Sequence, residues 1–202
     1  LLDLHASVGP EKHWYSDKEY ERLSGVELVK NRIAMTSRLG GEVIIMHIPK
    51  EPDCAPLRKS LDELEPFAHD HGVRIAVENG SYDVIRRLLS EYDPSYLGTC
   101  YDSGHGNAAG DGLDNLETCK DRLISLHLND NDSTGDQHQP LFMGTVDWER
   151  LAGIIAQSAY QKCVSMEIVI RNSGIEDEDA FLGHAFDTGT RFTEMVEAKS
   201  GG

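Results

Sequence analysis

Side chains that can bind a metal or move a proton recur at the ends of short apolar stretches of this sequence. Residues 101–110, YDSGHGNAAG, follow one such stretch and place Asp102 three residues before His105. Six titratable residues lie at or near the ends of such stretches: His5, His47, Glu78, Asp102, His127 and Glu167. They are spaced 24 to 42 residues apart. One strand-and-helix unit takes roughly 30 residues, so the spacing predicts one titratable side chain per repeated βα unit.

The chemistry of this set is that of a divalent-metal site. Carboxylates and imidazoles without a thiolate suit Mn²⁺, Mg²⁺, Co²⁺ or Zn²⁺. Glu78 follows Ala76 and Val77, and Glu167 lies within the apolar segment VSMEIV. A carboxylate in such surroundings is costly to bury unless it is paired or bound to a cation. We therefore interpret the carboxylates of the set as functional, whereas a lone histidine such as His5 also fits a structural role.

Short apolar strands and longer amphipathic helices must position these residues. The sequence predicts strands at 1–5, 42–48, 74–79, 97–102, 123–128 and 163–170, and helices at 18–39, 56–71, 82–90, 112–121 and 147–160. Such alternation predicts an α/β fold with a parallel sheet. Only a closed (β/α)₈ TIM barrel brings six strand ends together, so we predict that fold in a single domain, 1–202. Six strands are two short of eight, and we expect one or two βα units to be missing before Leu1.

Composition narrows the partners and the compartment. The chain has 202 residues and a formal net charge of −16, which disfavours binding to nucleic acid. No apolar run of membrane-spanning length and no signal peptide is visible, so we expect no membrane partner. The four cysteines form no C-x-x-C pair, which favours reduced thiols and a cytoplasmic location. A small molecule is the expected partner, and a homo-oligomer is compatible with the sequence.

A long polar loop at 129–148 adds Asp136 and His138, an acid-x-histidine pair. A solvated loop without a function would have the same composition, so both interpretations remain open here. Specificity for a substrate is expected in residues 129–143 of this loop, in residues 7–17 and in the N-terminal segment that we expect to be missing. Trp14, Tyr15 and Phe142 are candidates for stacking on a sugar, with surface or interface packing as the alternative.

Five motifs in order resemble the xylose isomerase-like TIM barrel superfamily: VEN (Glu78), YDSGH (Asp102, His105), LHLNDND (His127), GDQHQPLFMGTVDW (Asp136, His138) and SMEI (Glu167). This superfamily includes sugar isomerases and epimerases and, more distantly, the apurinic endonuclease IV group. The motifs extend over most of the chain. The resemblance implies a TIM barrel and a metal-dependent enzyme of carbohydrate metabolism.

For an epimerase of this family, the resemblance implies one metal bound by Glu78, Asp102, His127 and Glu167. Glu78 and Glu167 would also be the catalytic pair that removes and returns a proton beside a metal-bound carbonyl of a ketose. His105, His47 and His138 would contact the substrate. The implied function is a sugar isomerase or epimerase.

The resemblance also leaves alternatives. Endonuclease IV enzymes use about three zinc ions, and the positions of their further ligands are filled here by His5, His47, His105, Asp136 and His138. A phosphodiesterase acting on abasic DNA is therefore the main alternative, although the acidic net charge opposes it. A related metal-dependent dehydratase and a non-catalytic binding barrel are further alternatives. The sequence identifies neither the substrate, the metal, the oligomeric state nor the content of a preceding segment.

Overall fold

The computed structural model of the chain describes residues 1–6, 10–49 and 55–200, with no description of the side chains of residues 10–12. The chain divides into two compact units, Leu1–Cys100 and Tyr101–Gly202. Each unit is described by itself below. The organisation of the whole chain as one domain stays a prediction.

The first unit is a parallel sheet whose strands are joined by helices. Its strands lie side by side in chain order: β1 (Leu4–His5), β2 (Val43–His47), β3 (Arg74–Glu78) and the start of β4 (Leu97–Asp102). Three helices connect them: α1 (Glu19–Arg38), α2 (Ala55–His71) and α3 (Tyr82–Glu91). The apolar residues of β2 and β3 are buried, as expected for parallel strands covered on both faces.

The register of this sheet sets which strand-end side chains share a face. His47 is the Cα partner of Glu78, and His5 is the partner of Ile45, two residues before His47. Side chains two residues apart in a strand point to the same face. His5, His47 and Glu78 therefore project from one face of the first unit's sheet.

The second unit begins with the last two residues of β4, whose neighbour in the sheet is β5 (Leu123–His127). Four helices complete it: α4 (Ser103–Ala109), α5 (Gly112–Cys119), α6 (Trp148–Ala156) and α7 (Glu178–Ser200). Helix α6 packs on α7, and Trp148 of α6 contacts Phe192 of α7 with ring centroids 5.2 Å apart. These rings join leucines of β5 in one buried core.

The five predicted helices are confirmed to within a few residues of their ends, and the structure shows what bounds two of them. Asp147 accepts a hydrogen bond from the Arg150 N–H at 3.0 Å and caps α6. Gly72 follows α2 with φ of 64°, a left-handed conformation that glycine adopts at no steric cost. The first five predicted strands are also confirmed, with β1 shorter than expected.

The predicted strand at 163–170 is wrong. This segment makes one isolated parallel bridge, Leu128 with Met166, and then enters a short 3₁₀ helix, Ile170–Asn172. The cause lies in its hydrogen bonds. Only Ser165 and Glu167 bond to Leu128, whereas the Val169 N–H donates to the carbonyl of His138 in the 129–148 loop. The loop therefore ends the ladder after one bridge.

Trp14 is a second correction. It lies in the 3₁₀ helix Pro10–Tyr15 and is fully buried, so it is neither a stacking platform for a sugar nor a surface residue. A Cβ added at Gly25 of α1 would lie 2.3 Å from the backbone nitrogen of Trp14, which shows how closely this segment packs on α1. In the part of the chain that is described, no helix combines the length and hydropathy needed to cross a membrane.

Candidate functional site

Each of the five strands ends on one of the titratable residues that the sequence singled out. The last residues of β1 to β5 are His5, His47, Glu78, Asp102 and His127. Glu78, Asp102 and His127 are buried, with exposed fractions of 1%, 4% and 6%. Polar residues at the carboxyl ends of parallel strands are where enzymes of α/β folds carry their chemistry.

In the first unit, two imidazoles converge on one oxygen of Glu78. His47 Nε2 lies 3.0 Å from Glu78 Oε2, and His5 Nε2 lies 3.3 Å from the same oxygen. The two rings meet edge to face with centroids 4.9 Å apart. These contacts supply the partners that a buried carboxylate requires.

The other oxygen of Glu78 and the next residue complete this environment. The Cys100 thiol donates to Glu78 Oε1 at 3.4 Å. Asn79 follows in a left-handed conformation with φ of 56°, and its amide lies 3.3 Å from His47 Nε2. Asparagine tolerates this conformation better than most residues, which explains the polar end of the VEN motif.

In the second unit, Asp102 divides its two oxygens between different tasks. Oδ1 accepts hydrogen bonds from the His105 backbone N–H at 2.8 Å and from Asn129 Nδ2 at 3.1 Å. Oδ2 lies 3.1 Å from His105 Nδ1 without the geometry of a hydrogen bond. Asp102 thus caps α4 with one oxygen, and its other oxygen lies against the His105 ring.

His127 and Glu167 form the second pair of this unit. His127 Nδ1 lies 3.0 Å from Glu167 Oε2. The backbone of Leu128 fixes this pair, because its N–H donates to Ser165 and its carbonyl accepts from the Glu167 N–H. Glu167 therefore lies beside His127 although its segment does not form the predicted strand.

Asp102, His127 and Glu167 each offer a ligand atom, and these three atoms lie within 4.8 Å of one another. Two carboxylates and one imidazole at this separation fit a divalent cation, with positions left for further ligands. The donors are the oxygen and nitrogen types that suit Mg²⁺, Mn²⁺, Co²⁺ and Zn²⁺ alike.

The loop residues Asp136 and His138 join the same unit. Asp136 Oδ1 lies 2.9 Å from His138 Nε2, and Asp136 Oδ2 lies 3.8 Å from His105 Nε2. His138 Nδ1 donates to the Glu167 carbonyl at 2.8 Å, and its φ of 48° is left-handed. Asp136 therefore bridges two imidazoles, and a plain solvated loop does not describe this segment.

The residues that hold the loop were not identified from the sequence. Asp130 is fully buried; its Oδ2 accepts from the Trp148 indole N–H at 2.9 Å, and its Oδ1 accepts from the Val146 N–H at 3.1 Å. At the exposed turn beyond it, hydrogen bonds from Thr134 hold the pKa of Asp132 below its usual range. The sequence NDND has the composition of a turn. The one signal in the sequence for the burial of Asn129 and Asp130 is the apolar segments on both sides of the loop.

The chain is similar in sequence to several known proteins. The chain is 31% identical to an uncharacterized protein, y4fM, of Sinorhizobium fredii over 92% of the chain and 65% of that protein. A probable endonuclease 4 of Mycobacterium leprae is 31% identical over 62% of the chain and 53% of that protein. The chain thus spans less than two thirds of the length of either relative.

Solved structures show the same fold at lower identity. A D-tagatose 3-epimerase-like protein superposes with a TM-score of 0.78 at 21% identity, over 98% of the chain and 77% of that protein. The IOLI protein with a bound zinc atom gives a TM-score of 0.71 at 18% identity, over 98% and 77%. The family model described as xylose isomerase-like TIM barrel matches residues 3–185. The chain therefore belongs to the xylose isomerase-like TIM barrel family.

Proposed function

We propose that the protein is a divalent-metal-dependent isomerase or epimerase of a sugar or sugar-like ketose. The observation that carries the proposal is the trio Asp102, His127 and Glu167, whose ligand atoms lie within 4.8 Å of one another. Two of the three are buried last residues of strands. The family and the epimerase-like solved structure support sugar chemistry for such a site.

The metal would be held by Asp102, His127, Glu167 and, by the family resemblance, Glu78. A bound divalent cation would supply Lewis-acid stabilisation for the negative charge that develops on the substrate's oxygens. The protein's own contribution is to hold these carboxylates and the imidazole ready without a cation. His127 does so for Glu167, and Asn129 does so for Asp102.

Glu167 and Glu78 are the proposed pair for proton transfer. Glu167 as a carboxylate removes the proton from the carbon beside the carbonyl, and the electron pair of that C–H bond moves into an enediolate. Glu78 takes up a proton from solvent and returns it to the other face, or to the neighbouring carbon in an isomerase, and Glu167 then loses its proton to solvent. His105, His47 and His138 would contact substrate hydroxyls. Glu167 is the more accessible base, with 42% of its side chain exposed.

The test is exchange of solvent deuterium into a ketose. Protein loaded with Mn²⁺, Mg²⁺ or Co²⁺ is incubated with a panel of ketoses in D₂O, and loss of the C3–H or C1–H signal is followed by NMR. We expect exchange with the wild type and a decrease of about 10²- to 10⁴-fold in Glu167→Gln. Glu149→Gln, at an exposed glutamate that pairs with Lys199 at 3.0 Å, is the matched control.

Two results would contradict the proposal. One is the absence of exchange across the whole panel in metal-loaded wild-type protein. The other is an exchange rate in Glu167→Gln equal to that of the Glu149→Gln control.

One observation favours a second candidate, a multi-zinc phosphodiesterase related to endonuclease IV. Asp136 lies between His105 and His138, as expected of a carboxylate and imidazoles that bind further metal ions. The similarity to the probable endonuclease 4 supports this reading, and the net charge of −16 opposes it. Two or three zinc ions per chain, together with cleavage of an abasic-site duplex at low salt, would favour the phosphodiesterase over the isomerase.

A further inference from the structure

We propose that Asn129 is a positioning residue for Asp102 and thereby sets the affinity of the second unit for its metal. The inference rests on the proposed function, because it assigns Asp102 as a metal ligand. Asn129 itself touches neither substrate nor metal in this assignment. It would act through the hydrogen bond that its amide donates to Asp102 Oδ1 at 3.1 Å.

The hydrogen bonds of Asp102 are unequally divided between its oxygens. Oδ1 accepts hydrogen bonds from both the Asn129 amide and the His105 backbone N–H. Oδ2 lies 3.1 Å from the His105 ring and accepts no hydrogen bond from any residue that the structure describes. The two donors therefore fix the plane of a buried carboxylate and leave the lone pairs of Oδ2 for a cation. Partners of this kind orient a ligand and hold it ionised in other metal sites.

Asn129 is itself fixed on three sides. It is fully buried; its N–H donates to Ser103 Oγ at 2.8 Å, and the Ser103 hydroxyl donates back to the Asn129 carbonyl at 2.5 Å. A Cβ added at Gly104 would lie 2.0 Å from Asn129 Oδ1. Glycine at 104 therefore leaves room for this amide, and the hydrogen bond to Asp102 requires that its nitrogen end face the carboxylate.

Asn131 offers a control of the same residue type in the same loop. It is also fully buried, and its Nδ2 donates to the Gly104 carbonyl at 2.8 Å. Its Oδ1 accepts from Asn107 Nδ2 at 2.8 Å and from the Ser133 N–H at 2.9 Å. These bonds stabilise the loop and α4 without reaching Asp102. A general effect of removing a buried amide should appear in both variants, and an effect through Asp102 only in one.

The test measures metal affinity, which needs no turnover. Purified wild-type protein, Asn129→Ala, Asn129→Leu and Asn131→Ala are titrated with Mn²⁺, and free Mn²⁺ is followed by electron paramagnetic resonance. Co²⁺ absorption spectra report on the ligand geometry, and thermal melts of the metal-free proteins report on the fold. We expect Mn²⁺ binding about 10- to 100-fold weaker in both Asn129 variants and less than about 3-fold weaker in Asn131→Ala.

Three outcomes overturn the inference, and a fourth bears on the proposed function alone. Wild-type affinity in the Asn129 variants, or an equal loss in Asn131→Ala, would show that the amide does not act through Asp102. Failure of both Asn129 variants to fold would assign the residue to the fold instead. A wild type that binds Mn²⁺ but exchanges no ketose proton would contradict the proposed function and leave the affinity comparison intact.

Discussion

Glu78 and Glu167, the two glutamates proposed for proton transfer, lie in very different surroundings. Glu78 ends a strand, is 1% exposed, and meets two imidazoles at one oxygen and a thiol at the other. Glu167 lies in a segment with a single bridge, and 42% of its side chain is exposed. Its carboxylate lies 3.0 Å from the imidazole of His127. One glutamate is therefore built into the core of its unit, and the other is held at the edge.

The two carboxylates are positioned by different kinds of contact. Around Glu78, the sheet register itself brings His47 alongside, so the site forms as the strands pair. Around Glu167, a backbone hydrogen bond to Leu128 and a hydrogen bond from the His138 ring to the Glu167 carbonyl position the residue where no ladder continues. Removing Glu78 should consequently disturb the fold, whereas removing Glu167 should disturb chemistry alone.

The largest expected effect is on stability in metal-free protein. Glu78→Gln keeps the side-chain volume but removes the charge that two imidazoles contact, and hydrogen bonds to charged groups are worth about 1.5–3 kcal/mol each. We expect the free energy of unfolding to fall by roughly 3 kcal/mol. Glu167→Gln breaks one half-exposed pair and should cost less than about 1 kcal/mol.

Urea unfolding followed by tryptophan fluorescence measures this difference. The chain has two tryptophans, one in each unit, so each unit carries its own reporter. Equal destabilisation by the two substitutions would contradict the comparison. A metal-free Glu78→Gln protein as stable as the wild type would show that the imidazoles contribute nothing to folding.

The same contrast explains what the sequence could and could not predict. His5, His47, Glu78, Asp102 and His127 were predictable because a titratable residue at the end of an apolar run is recognisable from the sequence alone. Glu167 was singled out for the same reason, yet its segment is no strand, because hydrogen bonding to the 129–148 loop ends the ladder. The periodicity of apolar residues in a segment can predict a strand, but it does not show whether the neighbouring segment pairs with it along its whole length.

The residues around the loop were missed for a different reason. Asn129 and Asp130 have the types of turn residues, and their burial follows from contacts with residues distant in sequence, Asp102 and Trp148. Trp14 was a candidate for stacking on a sugar, with surface or interface packing as the alternative, because nothing adjacent to it in the sequence predicts that α1 covers it. Local patterns therefore identified strand-end chemistry but not the tertiary contacts that support it.

The two tryptophans, one in each unit, also differ in their hydrogen bonds, and we expect a smaller difference in stability from their substitution. Trp148 donates its indole N–H to the buried Asp130, whereas Trp14 Nε1 has no hydrogen bond to any described residue. Phenylalanine at 148 leaves a buried carboxylate oxygen without its donor, which should cost about 2 kcal/mol. Trp14→Phe removes packing and an indole N–H that no described residue accepts, so we expect a smaller cost of about 1 kcal/mol.

Circular dichroism melts and urea titrations of Trp148→Phe and Trp14→Phe measure this pair. Trp148→Leu is the control for the ring, because Phe142 and Phe192 both pack on it with centroids 5.2 Å away. A cost of Trp14→Phe as large as that of Trp148→Phe would show that packing, and not the bond to Asp130, dominates at position 148.

The smallest effect is expected at Asp136, and it separates the two candidate functions. Its side chain is 49% exposed, so its pairs with His138 and His105 should contribute less than about 1 kcal/mol to stability. For a one-metal isomerase, Asp136→Ala should lower ketose exchange less than tenfold and leave the metal-to-protein ratio unchanged, as measured by elemental analysis. For a multi-zinc phosphodiesterase, the same substitution removes a ligand and the ratio falls. Because Asp136 touches the two imidazoles but carries little of the fold, a change in metal content here reports on metal binding and not on unfolding.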